Sequence, residues 1–186
     1  PIFDGSFIID EMLKSKKNDD NISKIFANFN SSITLDIKKT YIDKNSFLNN
    51  LNGKLIFINN DLTDLNLISN FSDNEKFNLT MKTNDSGEKV TTFFSGYAKP
   101  FVKKYKFIKG FEDGNLDFSS IKINNISKSK LIIDNFKVKE IPVLAKILTL
   151  ASLQGIADLL TGEGVRFTDF EMIYSNEGNL MTIDEM

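Results

Sequence analysis

Apolar and polar residues alternate along most of the chain from Ser31 onward. The clearest run covers residues 64–82, where the polar positions hold mostly Asp, Asn, Thr and Lys. A period of two is typical of β-strands with one face in water. The pattern therefore predicts two neighbouring strands whose apolar side chains share one surface. These side chains are Leu65, Leu67, Phe71, Phe77, Leu79 and Met81.

Further strands are predicted wherever the alternation recurs, at residues 33–41, 54–58, 90–94, 115–123, 130–138, 165–174 and 180–183. Glycine-containing turns are predicted at Asn52-Gly53, Ser86-Gly87, 113–115 and 177–179. Short strands joined by tight turns favour an antiparallel meander, here of eight or nine strands. Around Thr168 the apolar phase slips by one residue, which predicts a β-bulge.

Three stretches break the alternation and are predicted as helices: residues 21–30, a brief segment from Pro100, and a long one from Pro142 to Leu160. The long helix is apolar on nearly all sides and must be covered. It could span a membrane, lie in a membrane interface or cover the apolar face of the sheet. Lys146, Asp158 and fewer than twenty apolar positions argue against a membrane span. We expect it to pack on the sheet, with an apolar surface that includes Leu144, Ile147, Leu148, Leu150, Leu153 and Ile156.

The fold class expected from these elements is mainly β with accessory helices. A curved antiparallel sheet forms an apolar groove, and the long helix packs on the groove or closes it. The 186 residues suit a single domain over residues 1–186. The run begins and ends in strand-like sequence, so we expect a segment of a longer protein.

Composition excludes several function classes. The chain has no cysteine and no histidine, which removes thiolate nucleophiles, Ser-His-Asp triads and zinc sites built on these residues. The net charge is −2 and Arg166 is the one arginine, so the basic footprint of a nucleic-acid-binding protein is missing. We expect no enzyme activity, no cofactor, no metal and no nucleic-acid partner.

Two charged clusters leave alternatives open. Carboxylates at Asp169, Glu171, Asp184 and Glu185 have the residue type for acid–base catalysis, but the alternation puts them on the wet face, where a solvated surface is the default. Lysines surround the short helix and form either a solvated face or a contact with anionic lipid headgroups. These are Lys99, Lys103, Lys104, Lys106 and Lys109.

Residues 136–153 read FKVKEIPVLAKILTLASL and are followed by Gly155-Ile156, residues 158–160, residues 162–164 and Phe167. This stretch resembles the C-terminal signature of AsmA-like bacterial envelope proteins, in particular the YhdP-type branch found in alphaproteobacteria. Residues 98–114 are similar to a short helix and turn of the same proteins, with Asp113 in place of a glycine. Residues 1–92 resemble them only in strand pattern.

The resemblance implies a periplasmic part of an inner-membrane-anchored protein. Such a part would be a non-enzymatic segment of a periplasm-spanning bridge that carries phospholipids between the inner and outer membranes. Its partners would be phospholipid acyl chains, neighbouring segments of the same chain, and inner- and outer-membrane proteins. The alternative is a structural, assembly or tethering module of the cell envelope that carries no lipid. Under the first reading, the apolar residues of the strands and of the long helix contact acyl chains.

Overall fold

A computed structural model of the chain describes residues 3–4, 30–72, 74–104, 110–139 and 164–186. In this part of the chain about three quarters of the residues belong to strands. The elements are β1 (Phe3–Asp4), β2 (Ser31–Tyr41), β3 (Phe47–Ile58), β4 (Asp61–Asn70), β5 (Lys76–Thr83), β6 (Lys89–Ser95), α1 (Lys99–Lys104), β7 (Phe111–Ile123), β8 (Ile126–Val138), β9 (Val165–Glu177) and β10 (Leu180–Glu185).

The strands form one sheet in which each strand pairs with the next strand along the chain, in the order β1 to β10. The pairing of β1 with β2 is parallel, and every later pairing is antiparallel. The tight turns after β3, β5, β7 and β9 lie at one end of the sheet, which we call the hairpin end. Helix α1 lies at the opposite end, in the connection from β6 to β7.

The predicted fold class, a groove-forming sheet with a long helix that closes it, is wrong for the described residues. Their only helix is α1, which has six residues. Between β2 and β8 the reason lies in the hydrogen bonding, because each strand pairs with the next strand along the chain and the described connections are short. The helices predicted at residues 21–30 and 142–160 fall outside the described residues, except that Asn30 is described and is not helical.

Two of the predicted turns are also wrong. Asn52-Gly53 lies in the middle of β3, and Asp113-Gly114 lies inside β7. At Gly53 a Cβ atom would stand 2.5 Å from Cδ2 of Leu67 on β4, so the glycine makes room for that leucine. Asp113 and Gly114 both have positive φ, 62° and 79°, which turns the strand without ending it.

The alternation reverses at the same level in three adjacent strands. In β7 the buried side chains have odd residue numbers at Phe111 and even numbers from Leu116 onward. In β8 they have odd numbers up to Ile133 and even numbers from Phe136 onward. The register from β8 to β9 stays constant on both sides of Thr168, so the bulge predicted there is wrong. The reversal instead occurs at the same level in β7, β8 and β9. In β8 it lies at Asn135, whose φ is 53°. All three strands thus keep their buried apolar side chains on one face.

Helix α1 packs on this apolar face at its own end of the sheet. The helix is anchored to β7, because the Ala98 N–H donates to the Gly114 carbonyl at 2.8 Å, and the Ala98 carbonyl accepts the first helical hydrogen bonds. The Phe101 ring stands edge-on to Phe93 with 4.8 Å between centroids and is stacked with Phe77 at 6.2 Å. The aromatic rings therefore fix where the helix sits on the strands.

Candidate functional site

The structure brings the predicted apolar residues of β4 and β5 together on one face. Leu65 pairs directly with Met81, and Leu67 pairs with Leu79. These four and Phe77 are only 2–8% exposed. Phe71, which follows β4, is half-buried with its ring edge-on to Tyr97 and Phe101. The other six predicted contact residues lie outside the described residues: Leu144, Ile147, Leu148, Leu150, Leu153 and Ile156.

The same apolar face continues across β6 to β9, where it is more accessible. One row of directly paired residues crosses eight strands, and it runs Leu35, Gly53, Leu67, Leu79, Phe93, Phe118, Leu131 and Met172. Its last four members are half-buried, whereas Leu67 and Leu79 are buried. On β6 to β9 the accessible part of the face therefore includes Phe93, Phe118, Leu131 and Met172, which sequence reasoning missed.

The next row toward the hairpin end is made of hydroxyl groups on β6 to β9. Thr91, Ser120, Ser129 and Tyr174 pair in that order. The Ser129 hydroxyl donates to the Ser120 hydroxyl at 2.9 Å. Burial raises the pKa of Tyr174, and a hydrogen bond with Ser129 opposes this increase. The apolar face thus acquires a row of neutral hydrogen-bonding groups beside its apolar rows.

A third row brings positive charge to the margin of the face. Thr83, Lys89, Lys122 and Ser127 pair across β5 to β8 at the hairpin end. The Lys89 ammonium donates to both carboxylate oxygens of Asp61, at 2.7 and 2.6 Å. Lys122 is exposed, and at 3.4 Å per residue it lies roughly 14 Å along β7 from Phe118.

The face therefore changes along the strands from aromatic and aliphatic groups, through hydroxyls, to ammonium groups. An amphiphile has the same sequence of groups over a comparable length, with hydrocarbon at one end and a charged headgroup at the other. Such a surface binds by burying apolar area and by charge-assisted hydrogen bonds at the headgroup. The three rows on β6 to β9 are the candidate binding site.

The α1 end of the sheet carries a second, polar region. An open cleft of about 330 Å³ is lined in part by Asp43, Glu75, Lys99 and Lys103. Burial raises the pKa of Tyr97 in this cleft, and the nearby carboxylates of Glu75, Asp113 and Asp43 raise it further. Charges of both signs line this cleft, so no single ligand charge is favoured there.

Of the lysines predicted around the short helix, Lys99 lies 3.7 Å from Glu112 on β7. Glu112 also pairs with Lys139 at 3.0 Å, and the hydrogen bond from Lys139 lowers the pKa of Glu112. Lys103 is exposed, and Lys106 and Lys109 lie outside the described residues, as does the side chain of Lys104. Ion pairing with Glu112 holds Lys99 against the sheet.

Two of the four carboxylates considered for acid–base chemistry have polar partners at the surface. Glu171 pairs with Lys130 at 2.7 Å, and Asp184 accepts a hydrogen bond from the Ser175 hydroxyl at 2.6 Å. Asp169 and Glu185 are exposed. In the described part of the chain, no group of three or more acidic side chains is arranged to hold a metal ion.

Comparisons of the chain with protein-family models, with curated proteins and with solved structures found no match. Within the described ranges, no helix has the length and apolar character needed to cross a bilayer.

Proposed function

We propose that the chain is a non-enzymatic lipid-binding segment of a cell-envelope protein that carries phospholipids between the inner and outer membranes. The observation that carries the proposal is the graded apolar face of β6 to β9, where Phe118, Ser120 and Lys122 follow one another along one strand. A packed core does not need this gradient, because a buried hydroxyl such as that of Ser129 costs free energy that an apolar side chain avoids.

Acyl chains would lie on the accessible aromatic and aliphatic side chains of this face. Phe93 pairs with Phe118, Phe118 with Leu131, and Leu131 with Met172, so the row is continuous across four strands. All four side chains keep part of their surface in solvent. Covering that surface with hydrocarbon would contribute about 25 cal/mol per Å².

The headgroup would lie toward the hairpin end, at the hydroxyl and lysine rows. The Lys122 ammonium would pair with a phosphate oxygen as a point charge. Ser120 and Tyr174 add hydroxyls that donate to or accept from phosphate and ester oxygens. Lys89, already paired with Asp61, links β6 to β4 across β5 at that end of the sheet.

A structural or tethering module without lipid cargo is the second candidate. It is favoured by the burial of Leu65, Leu67 and Leu79, whose side chains are already withdrawn from water on β4 and β5. On this reading the apolar face of the sheet is simply a packed core, and purified protein carries no lipid.

Native mass spectrometry of the intact chain, purified without detergent, tests the proposal. We expect phospholipid-sized mass increments on the wild-type chain and on Ile68→Ser, because Ile68 is exposed on the opposite face. Phe118→Ser should lose most of the bound lipid while remaining folded. Lipid-free wild-type protein, or equal lipid loads on Phe118→Ser and Ile68→Ser, would overturn the proposal and favour the structural module.

A further inference from the structure

The face opposite the candidate site has an exposed apolar region at the hairpin end. Five side chains there are 39–66% exposed, and we call them the tip patch: Val90, Ile121, Ile123, Ile126 and Leu180. They form one surface, because Val90 pairs with Ile121, Ile123 pairs with Ile126, and Ile126 and Leu180 both pair with Glu177. Single exposed aliphatic residues are ordinary, but a contiguous group of this kind marks an interaction site.

Lysines flank the tip patch. Lys82 pairs with Val90, and Ile121 pairs with Lys128, so one row reads Lys, Val, Ile, Lys across β5 to β8. Lys82 and Lys128 are exposed, and Lys122 is exposed on the other side of the same hairpin. Within the patch, Glu177 is the acidic residue that the strand pairing brings between apolar neighbours.

The chemistry of the tip patch fits a lipid surface better than a protein. Protein interfaces are enriched in Tyr, Trp, Phe and Arg and depleted in Lys. The tip patch contains only aliphatic side chains, and its flanking cations are all lysines. Aliphatic groups partition into the acyl region of a bilayer, while lysines extend their ammonium groups to anionic headgroups.

We propose that the tip patch docks the hairpin end of the sheet on a bilayer that contains anionic phospholipid. Ile123 and Ile126, on either side of the β7–β8 turn, enter the interface, and Lys82 and Lys128 contact the headgroups. Docking would bring Lys122 and the hydroxyl row of the opposite face to the membrane surface. The inference goes beyond the proposed function, because vesicle binding at the tip does not require lipid on the apolar face.

Co-sedimentation of the full chain with vesicles tests the inference. The probes are vesicles of phosphatidylcholine alone and of phosphatidylcholine mixed with phosphatidylglycerol. We expect the wild-type chain to bind the mixed vesicles more tightly, with an affinity that falls as salt rises. Ile123→Ser combined with Ile126→Ser should lower the partition coefficient about tenfold or more on both kinds of vesicle.

Two matched variants separate the apolar and ionic contributions. Lys82→Gln combined with Lys128→Gln should lower binding to the mixed vesicles and weaken its salt dependence. Ile68→Ser changes an equally exposed isoleucine on the same face, away from the hairpin turns, and should bind like wild type. Because all these side chains are exposed, the variants should melt like the wild-type chain.

The inference would be overturned if the wild-type protein binds neither kind of vesicle. It would also be overturned if the tip variant, Ile123→Ser combined with Ile126→Ser, binds as tightly as wild type. Loss of a co-purifying protein from the tip variant, with vesicle binding unchanged, would identify a protein interface instead and would also overturn it. Native mass spectrometry distinguishes this failure from failure of the proposed function, since a chain that retains phospholipid but does not bind vesicles refutes only the docking.

Discussion

The side chain of Leu67 on β4 lies over Gly53 on β3, with Cδ2 at 2.5 Å from the position that a Cβ of residue 53 would occupy. The Asn66 carbonyl oxygen is closer still to that position. Because Gly53 has no side chain, the side chain of Leu67 can fill the space above it. This pair lies in the row that leads directly to Phe93 and Phe118.

Gly53→Ala should destabilise the fold by about 1–3 kcal/mol, because the added methyl group overpacks the space that Leu67 fills. Shortening Leu67 to alanine in the same chain should relieve only part of this strain, since the Asn66 carbonyl cannot move without breaking the strand pairing. Urea denaturation measures both effects. Lys54→Ala, at the exposed neighbouring position, is the control, and equal stability of Gly53→Ala and Lys54→Ala would refute this packing argument.

Asn135 holds a left-handed backbone conformation with φ of 53°, at the level where β7, β8 and β9 reverse their alternation. Asn135→Val should cost about 1–2 kcal/mol, because a β-branched residue is strained there, and Asn135→Gly should be neutral or stabilising. Ser119→Val, at an exposed position of β7 without positive φ, serves as the control. If Asn135→Val melts at or above the wild-type melting temperature, the left-handed backbone conformation at this position would be contradicted.

Asp117 on β7 has a pKa raised above its ordinary value of 3.8, first by burial and then by the nearby carboxylate of Asp134. A carboxyl group with a raised pKa in the folded state favours folding when it is protonated. Its contribution is present at low pH and is lost as the pH rises through the raised pKa. Asp117→Asn should therefore raise the melting temperature at about pH 7 and leave it unchanged at about pH 3.

The control for this pH dependence is Asp36→Asn, at an exposed position of β2 that pairs with Asn52. We expect that variant to melt like wild type at both pH values. An Asp117→Asn protein whose melting temperature at neutral pH equals or falls below that of wild type would show that the carboxylate is not disfavoured in the fold.

Sequence alternation was sufficient to predict β4 and β5 and to align their apolar faces, because Leu65 and Leu67 in β4, and Phe77, Leu79 and Met81 in β5, are each separated by one polar residue. It failed at Asn52-Gly53, where an Asn-Gly pair is a strong local signal for a hairpin turn. Only the neighbouring strand reveals why the glycine is needed, since Leu67 is fourteen positions away along the chain.

The candidate site was missed for a related reason. Alternation assigns Phe93, Phe118 and Leu131 to a face, but it cannot tell a buried position from an accessible one. Accessibility depends on which strands lie beside α1, and the register of the sheet decides this. The change from an apolar to a charged side chain between Phe118 and Lys122 is visible in the sequence of one strand. That it continues across neighbouring strands follows only from the register, which places Ser129 and Tyr174 beside Ser120.

Lys122→Glu should reduce the share of anionic lipid that co-purifies with the chain, because the reversed charge repels a phosphate at the margin of the site. Total bound lipid should fall less, since the apolar row is unchanged. Lipid extraction followed by headgroup analysis measures both quantities. Lys54→Glu, on the opposite face of the sheet, should leave the headgroup profile unchanged, and an identical shift in both variants would remove Lys122 from the site.

The most direct measurement is photo-crosslinking in cells with benzoylphenylalanine placed either at Phe118 or at Ser119. These neighbours on β7 point to opposite faces, Phe118 to the apolar rows and Ser119 to the face that carries the tip patch. In the Ile123→Ser and Ile126→Ser background, which removes docking of the tip patch, a lipid-carrying face predicts phospholipid adducts at position 118 and none at position 119. Equal labelling at the two positions, or no phospholipid at either, would contradict the claim that the apolar face of this sheet binds lipid.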